Sequence, residues 1–258
     1  MKNTIVAALA VSLLMLGAQS PVEGKTTVRQ KAAATAPRWD QTVTLTAEGF
    51  PVLGNPAAPI KLVEFISYTC NHCAEFSKES KVPLNGALVR QGKVAVELRP
   101  FLRNSVDQVP SLLALCGPQS NYFGNSAALL AAQSAWFKPP ADPGYEKRWQ
   151  SLAGKPADQR RMIARDLGLF KIMLARGYTS ATLDACLNDQ AKLDWLSKQT
   201  DYAGTTTGVI GTPSFLINGQ LQEIYGWPEL APRLSAAIAA NEAAHAAAAA
   251  AAAVSKPM

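Results

Sequence analysis

The chain has 258 residues, 48% of them apolar and 17% charged, which excludes a disordered or fibrous protein and allows one large domain or a domain carrying an insertion. Its net charge of +6 is unevenly placed, because residues 1–38 hold Lys2, Lys25, Arg29, Lys31 and Arg38 against Glu23 alone. The remainder is near neutral, which argues against nucleic-acid binding and leaves a basic tether suited to an anionic membrane surface.

Met1-Lys2-Asn3 and the uncharged segment 4–18 have the order of a secretory signal, assigned to residues 1–20, and are too short to span a bilayer comfortably. Cleavage after Ala18 would put Leu16 at the minus-three position, and cleavage after Ser20 would leave Pro21 next, so an uncleaved anchor stays open as an alternative. Residues 21–38, rich in Ala, Thr and basic side chains without apolar periodicity, read as a flexible linker. A first part, 39–105, then shows strand, strand, helix, strand. Residues 42–46 alternate Val43 and Leu45 with threonines, residues 54–59 make a turn, and 60–66 form a buried strand in which Glu64 is the odd residue. Residues 74–90 form a helix kinked at Pro83 and ended by Gly92, and 94–98 supply another strand.

From 106 to 208 the apolar spacing is helical, broken at Gly117-Pro118, Pro139-Pro140, Pro143-Gly144 and Gly154. Leu112, Leu113, Leu115 and Cys116 share one predicted helix; Ile163, Leu167, Phe170 and Leu174 share another. Arg160, Arg161 and Arg165 form either a docking face or a solvated helix surface. Strands return in a second part, 209–240: residues 214–217, a tight turn at Asn218-Gly219, and 221–225. A final helix opens at Trp227 and runs through Leu230, Leu234 and Ile238; the Ala-rich tail 241–258 extends it or frays. The order is that of an α/β fold carrying an all-helical insertion.

The chemistry centres on Cys70-Asn71-His72-Cys73, where a buried strand gives way to a helix. Two cysteines three apart close a small disulfide ring, and the first lies where free helix N–H groups favour a negative sulfur, so the pattern reads as redox-active. A structural disulfide or half of a zinc site is the alternative. Four cysteines behind an export signal imply an oxidising compartment. Cys116 and Cys186 are left over, in similar helical surroundings; a structural disulfide between them is expected, with two buried thiols as the alternative. With only two histidines, one of them His245 inside the alanine tract, neither a hydrolytic triad nor a four-ligand zinc site can be assembled convincingly, and no metal is expected.

Glu-Phe-Ile-Ser-Tyr-Thr-Cys-Asn-His-Cys at 64–73, followed by a helical block and Gly-Thr-Pro-Ser-Phe-Leu-Ile-Asn-Gly at 211–219, resembles DsbA-like thiol:disulfide oxidoreductases of the bacterial envelope over about residues 42–240. The resemblance implies a thioredoxin fold interrupted by a helical insertion and a periplasmic location. It makes Cys70 the exposed attacking cysteine, Cys73 the buried resolving one, Pro213 after Thr212 a cis-proline facing the pair, and Glu64 a buried acid relaying protons for Cys73. It also implies reduced or misoxidised client proteins, an inner-membrane redox partner and no cofactor. His72 is expected to lower the Cys70 pKa, Asn71 to contribute its amide dipole, and Thr212 with Pro213 to line a groove for extended client peptides. Asn71-His72 replaces the usual Pro-His of the best-known members, and Thr212 stands where strong oxidants often have Val. A disulfide isomerase or reductase is therefore the alternative to a disulfide donor, with a client-binding chaperone behind it; a monomer would favour the donor.

Overall fold

A computed structural model of the chain describes residues 37–138 and 142–254. The expected signal, the linker up to residue 36, the Pro139-Pro140 break and the last four residues of the tail lie outside the described residues. Val43–Leu45 (β1) pairs antiparallel with Pro51–Leu53 (β2), from Val43 opposite Leu53 to Leu45 opposite Pro51. Ile60–Ile66 (β3) and Val94–Pro100 (β4) run parallel in register from Ile60 opposite Val94 to Ile66 opposite Pro100. Ser214–Ile217 (β5) lies antiparallel on the other side of β3, and Gln220–Gln222 (β6) pairs with β5. The sheet order is β1-β2-β4-β3-β5-β6.

Its near-continuous apolar run puts β3 at the centre, flanked on both sides, with Glu64 carried into the interior opposite Leu98 and Phe215. A parallel β3–β4 pair requires a crossover, and Asn71–Ser80 (α1) begins it. The expected Pro83 kink takes a specific form: residues Lys81–Val89 continue the helix as π-helical turns, the wider winding accommodating a residue that has no N–H to donate. β2, with Pro51 at its start, was not foreseen in the sequence pattern; three residues are too few to show alternation.

Between β4 and β5 lie Ser105–Ala114 (α2), Tyr122–Ala131 (α3), Gln133–Trp136 (α4), Tyr145–Ser151 (α5), Pro156–Asp166 (α6), Leu169–Ala175 (α7), Ser180–Leu187 (α8) and Gln190–Thr206 (α9). The helix expected to carry Ile163, Leu167, Phe170 and Leu174 is in fact two. Gly168, at φ +69°, turns the chain between α6 and α7 and leaves Leu174 exposed. The arginine trio is not a uniformly solvated surface: Arg160 is 3% exposed, donating Nε–H to the Leu187 carbonyl at 2.7 Å, while Arg161 and Arg165 reach Asp184 at 3.6 and 3.7 Å. The Arg160 guanidinium satisfies the Leu187 carbonyl at the end of α8 and reaches Gln190 Oε1 at 3.3 Å, and burial follows from that.

Trp227–Val254 (α10) runs unbroken through most of the alanine tract, as the residue with the highest helix propensity allows. Its start packs on α1 and β3, and Lys93 meets Glu242 at 3.1 Å. One apolar core gathers Leu62, Phe76, Val96, Phe215, Leu230 and Leu234; another gathers Ile66, Tyr68 and Cys73 with Leu112, Leu113, Leu129 and Met173 of the helical block.

A disulfide joins Cys116, just past α2, to Cys186 in α8 across 70 residues. Replacing both with serine is expected to lower stability by about 2–4 kcal/mol through the longer loop left open in the unfolded chain. Thermal unfolding under non-reducing conditions measures the loss; an unchanged midpoint would show that packing alone secures α2 to α8.

Candidate active site

β3 ends at Ile66 with its carbonyl accepting from Phe101 N–H, and the chain turns through Ser67-Tyr68-Thr69, closed by Cys70 N–H donating to the Ser67 carbonyl at 3.2 Å. Cys70 is the N-cap of α1, in extended backbone (φ −96°, ψ 116°), and its own carbonyl accepts the first helical bond from Ala74 at 3.3 Å. Cys73 therefore sits one turn into the helix, beside it. The two cysteines are present as thiols.

Thr212 and Pro213 face this turn from the start of β5, joined by a cis peptide bond. The Cys70 thiol donates to the Thr212 carbonyl at 3.1 Å. The Thr212 hydroxyl is buried with no oxygen or nitrogen partner, and its proximity also favours an anionic sulfur. Ser214 Oγ donates to the Gly211 carbonyl at 2.8 Å, bracing the loop from behind.

The two sulfurs are driven apart in acidity. Cys70 is lowered to about 5, first by a hydrogen bond from Cys73, against the opposing cost of burial, then by Thr212 and by the backbone amides of Cys73 and His72. Cys73 is raised well above the ordinary thiol value, first by burial and then by its neighbour Cys70. One thiol thus becomes a donor to the other's thiolate. Glu64, 6% exposed, is pushed up to about 8 by burial, so its carboxyl is largely protonated at neutral pH. It borders a cavity of about 60 Å³ lined also by Ser77, Ser80 and Ser126.

Two expected features take a different form. Cys70 is 3% exposed rather than open to solvent, because it lies in the corner between α1 and the Thr212 loop. His72 does not turn its imidazole on the sulfur. Its side chain is 68% exposed and approaches Glu75 at 4.0 Å, and its contribution to Cys70 comes through the backbone amide. A side chain at the second helical position points outward, whereas Cys73, one residue on, turns in. Asn71 is exposed at the start of α1 and lines a groove of about 600 Å³ shared with Lys78, Leu130 and Gln133.

Sequence reasoning missed Gln133 and Asp107. Gln133 of α4 donates Nε2–H to the Tyr68 carbonyl at 2.7 Å and the Cys70 carbonyl at 2.8 Å, and Asp107 of α2 receives bonds from Ser67 and Thr69. Asn104-Ser105-Val106-Asp107 has the look of a helix start, a signal that could have located Asp107 at a helix end, although not at the cysteines. For Gln133 no local signal exists.

A family model described as Thioredoxin matches residues 46–252. Among curated relatives, a provisionally named protein-disulfide oxidoreductase of Rickettsia bellii is 27% identical over 187 residues, covering 72% of this chain and 64% of its own length. Its Rickettsia typhi counterpart is 24% identical over 188 residues, covering 72% and 61%. The chain thus spans less than two thirds of the length of these relatives. Among solved structures, a protein-disulfide isomerase from Novosphingobium aromaticivorans matches with TM-score 0.68 and 38% identity over 72% of this chain and 96% of that one. Wolbachia pipientis alpha-DsbA1 shares the fold at TM-score 0.57, 20% identity, and 76% and 94% coverage.

Alkylation of Cys70 should follow pH with a midpoint near 5. Cys73→Ala is expected to move that midpoint up towards the ordinary thiol value of about 8.5, and Cys73→Ser, which keeps a donor, to move it less. Equal midpoints in all three proteins would remove Cys73 as the cause. For Glu64, a folded pKa of about 8 against 4.5 in the unfolded chain means that the stability from the neutral carboxyl is complete below about 4.5 and lost as pH rises through about 8. Glu64→Gln removes this slope, so denaturant unfolding should show its stability relative to wild type growing with pH up to about 8. A pH-independent difference would mean that Glu64 titrates normally.

Proposed function

The chain belongs to the thioredoxin family, and from that premise we propose that it is an envelope thiol:disulfide oxidoreductase that passes the Cys70–Cys73 disulfide to client proteins. The observation carrying this reading is the opposed acidity of the two sulfurs, with Cys70 at about 5 and Cys73 well above the ordinary thiol. Thiol–disulfide exchange proceeds by thiolate attack through a mixed disulfide, and a low-pKa sulfur is the better leaving group. A client thiolate attacks the Cys70 sulfur of the oxidised pair; the Cys70–Cys73 bond breaks, and Cys73 leaves with the electron pair and takes up a proton. A second client thiolate then attacks the client sulfur of the mixed disulfide, expelling Cys70 as a thiolate. The client has lost two electrons and the pair has gained them.

Glu64 is the proposed proton source for Cys73, supported by a carboxyl pushed up to about 8 that borders a small cavity walled in part by Ser77, Ser80 and Ser126. Reoxidation falls to a membrane-bound, quinone-linked partner; exchange itself calls for no cofactor. Because Cys70 is recessed, a client reaches it as an extended segment laid against the Thr212 backbone, in the manner of an added strand. Ile210, 94% exposed two residues before Thr212, and Tyr225, exposed in a pocket it shares with His72, are the apolar side chains proposed to flank that approach. Main-chain recognition gives broad client choice. The chain is proposed to act in the periplasm as a monomer.

A second reading, isomerase or reductase, rests on Thr212 before Pro213 and on the name of the Novosphingobium relative. Equilibration of the pair against glutathione separates the two: a strongly oxidising couple supports donation, a reducing one supports isomerisation. Cys70→Ser should abolish both oxidative refolding of a reduced client and insulin reduction, whereas Cys73→Ser should accumulate the mixed disulfide at Cys70. Retained client protection by Cys70→Ser, with no exchange by the wild type, would point to a chaperone.

A further inference from the structure

We infer that Asp107 is a positioning residue for Cys70, its carboxylate holding Ser67 and Thr69 in the turn that aims the sulfur at Thr212 and Cys73. The inference rests on the thiol-exchange reading above. Asp107 is 0% exposed, on the first turn of α2 in the helical block. Its Oδ2 accepts from Ser67 Oγ at 2.8 Å, Thr69 Oγ1 at 3.1 Å and Arg103 N–H at 3.0 Å; its Oδ1 accepts from Thr69 N–H at 2.9 Å and lies 3.0 Å from Ser67 Oγ.

An aspartate at this helix position ordinarily serves its own helix end. That task is already done: Asn104 Oδ1 accepts from the N–H groups of Val106 and Asp107 at 3.0 and 3.1 Å. Apart from Arg103, every donor to the Asp107 carboxylate comes from the segment that leads into Cys70. A buried carboxylate is costly unless its lone pairs are filled, so an apolar residue would suffice if α2 needed only packing. The same turn is gripped from its other polar side, since Gln133 takes the carbonyls of Tyr68 and Cys70, and Asn104 Nδ2 donates to Thr69 Oγ1 at 3.0 Å. Tyr68 is the titratable group of the turn that feels the Asp107 charge, and Arg103 meets it through its backbone. The path of the chain immediately before the reactive sulfur is thus dictated by side chains of α2 and α4. The Cys70 contacts to Thr212 and Cys73 depend on that path, because both are hydrogen bonds with narrow angular tolerance.

Asp107→Asn keeps the size of the side chain but replaces acceptors with an amide N–H₂ that cannot receive Thr69 N–H or the two hydroxyls together. The measurement is the Cys70 alkylation midpoint in the full chain, with the Cys70–Cys73 equilibrium against glutathione as a second readout. The expected result is a midpoint about one unit higher, a tenfold smaller thiolate fraction at low pH, and a more reducing pair. Ser67→Ala should move both in the same direction by less, and serves if Asp107→Asn does not fold. Leu113→Ala, a core change on the same helix, should lower thermal stability without moving the midpoint.

A midpoint unchanged in both the Asp107 and Ser67 variants, or moved equally by Leu113→Ala, would overturn the inference. A lower midpoint would overturn it as well, since that is what removing a nearby negative charge does. These outcomes presume a wild-type midpoint near 5; an ordinary wild-type midpoint would instead defeat the exchange reading itself.

Discussion

The hydrogen bond between two sulfurs one helical turn apart is the interaction on which the site turns. Burial works against a charge on either thiol, and on Cys73 burial prevails. On Cys70 it is outweighed because Cys73, held neutral by that same burial, has a proton to donate. The asymmetry needs no charged neighbour. It arises from placing one cysteine at the N-cap, at the edge of the helix, and the other at a position that faces the core. The N-cap also brings Cys70 within reach of the first free amides of α1, which add to the effect.

Around this pair the sheet and the helices have separate duties. β3 brings the turn to its place and β5 sets Thr212 opposite, since both are strands of one ladder with Phe65 paired to Ser214. The helical block supplies the side chains that shape the turn itself. Glu64 stands apart from the sulfur pair's mutual bonding: it is central in β3, its charge raises Tyr68 and Tyr122, and its own acidity is weakened by desolvation.

The sequence made legible whatever depends on short-range pattern. The run 60–66 is apolar enough to demand burial on both faces, the Asn218-Gly219 dipeptide specifies a tight turn that the left-handed backbone at both residues realises, and the cysteine spacing marks the strand-to-helix turn at the start of α1. What stayed hidden depends on three-dimensional company. Arg160 looks like a surface residue until the end of α8 is seen to present the Leu187 carbonyl. His72 looks like the obvious modulator of Cys70, because covalent proximity says nothing about which way a side chain turns. Asp107 and Gln133 lie 37 and 63 residues beyond Cys70, and no spacing rule links them to it. The π-helical stretch after Ser80 is legible only as a proline kink, since the way a helix absorbs a missing donor depends on its neighbours.

The grip of Asp107, Asn104 and Gln133 on residues 67–70 also bears on modularity. A version of this protein pared down to the sheet, α1 and α10 would retain both cysteines, the proline loop and the central strand, and by motif would look complete. It would nevertheless have lost every side chain that the helical block contributes to the bend ahead of the first sulfur. On the proposed exchange reading the insertion is part of the redox unit rather than an appendage to it, and transplanting the four-residue motif alone would carry the two sulfurs without the side chains that hydrogen-bond the turn before them.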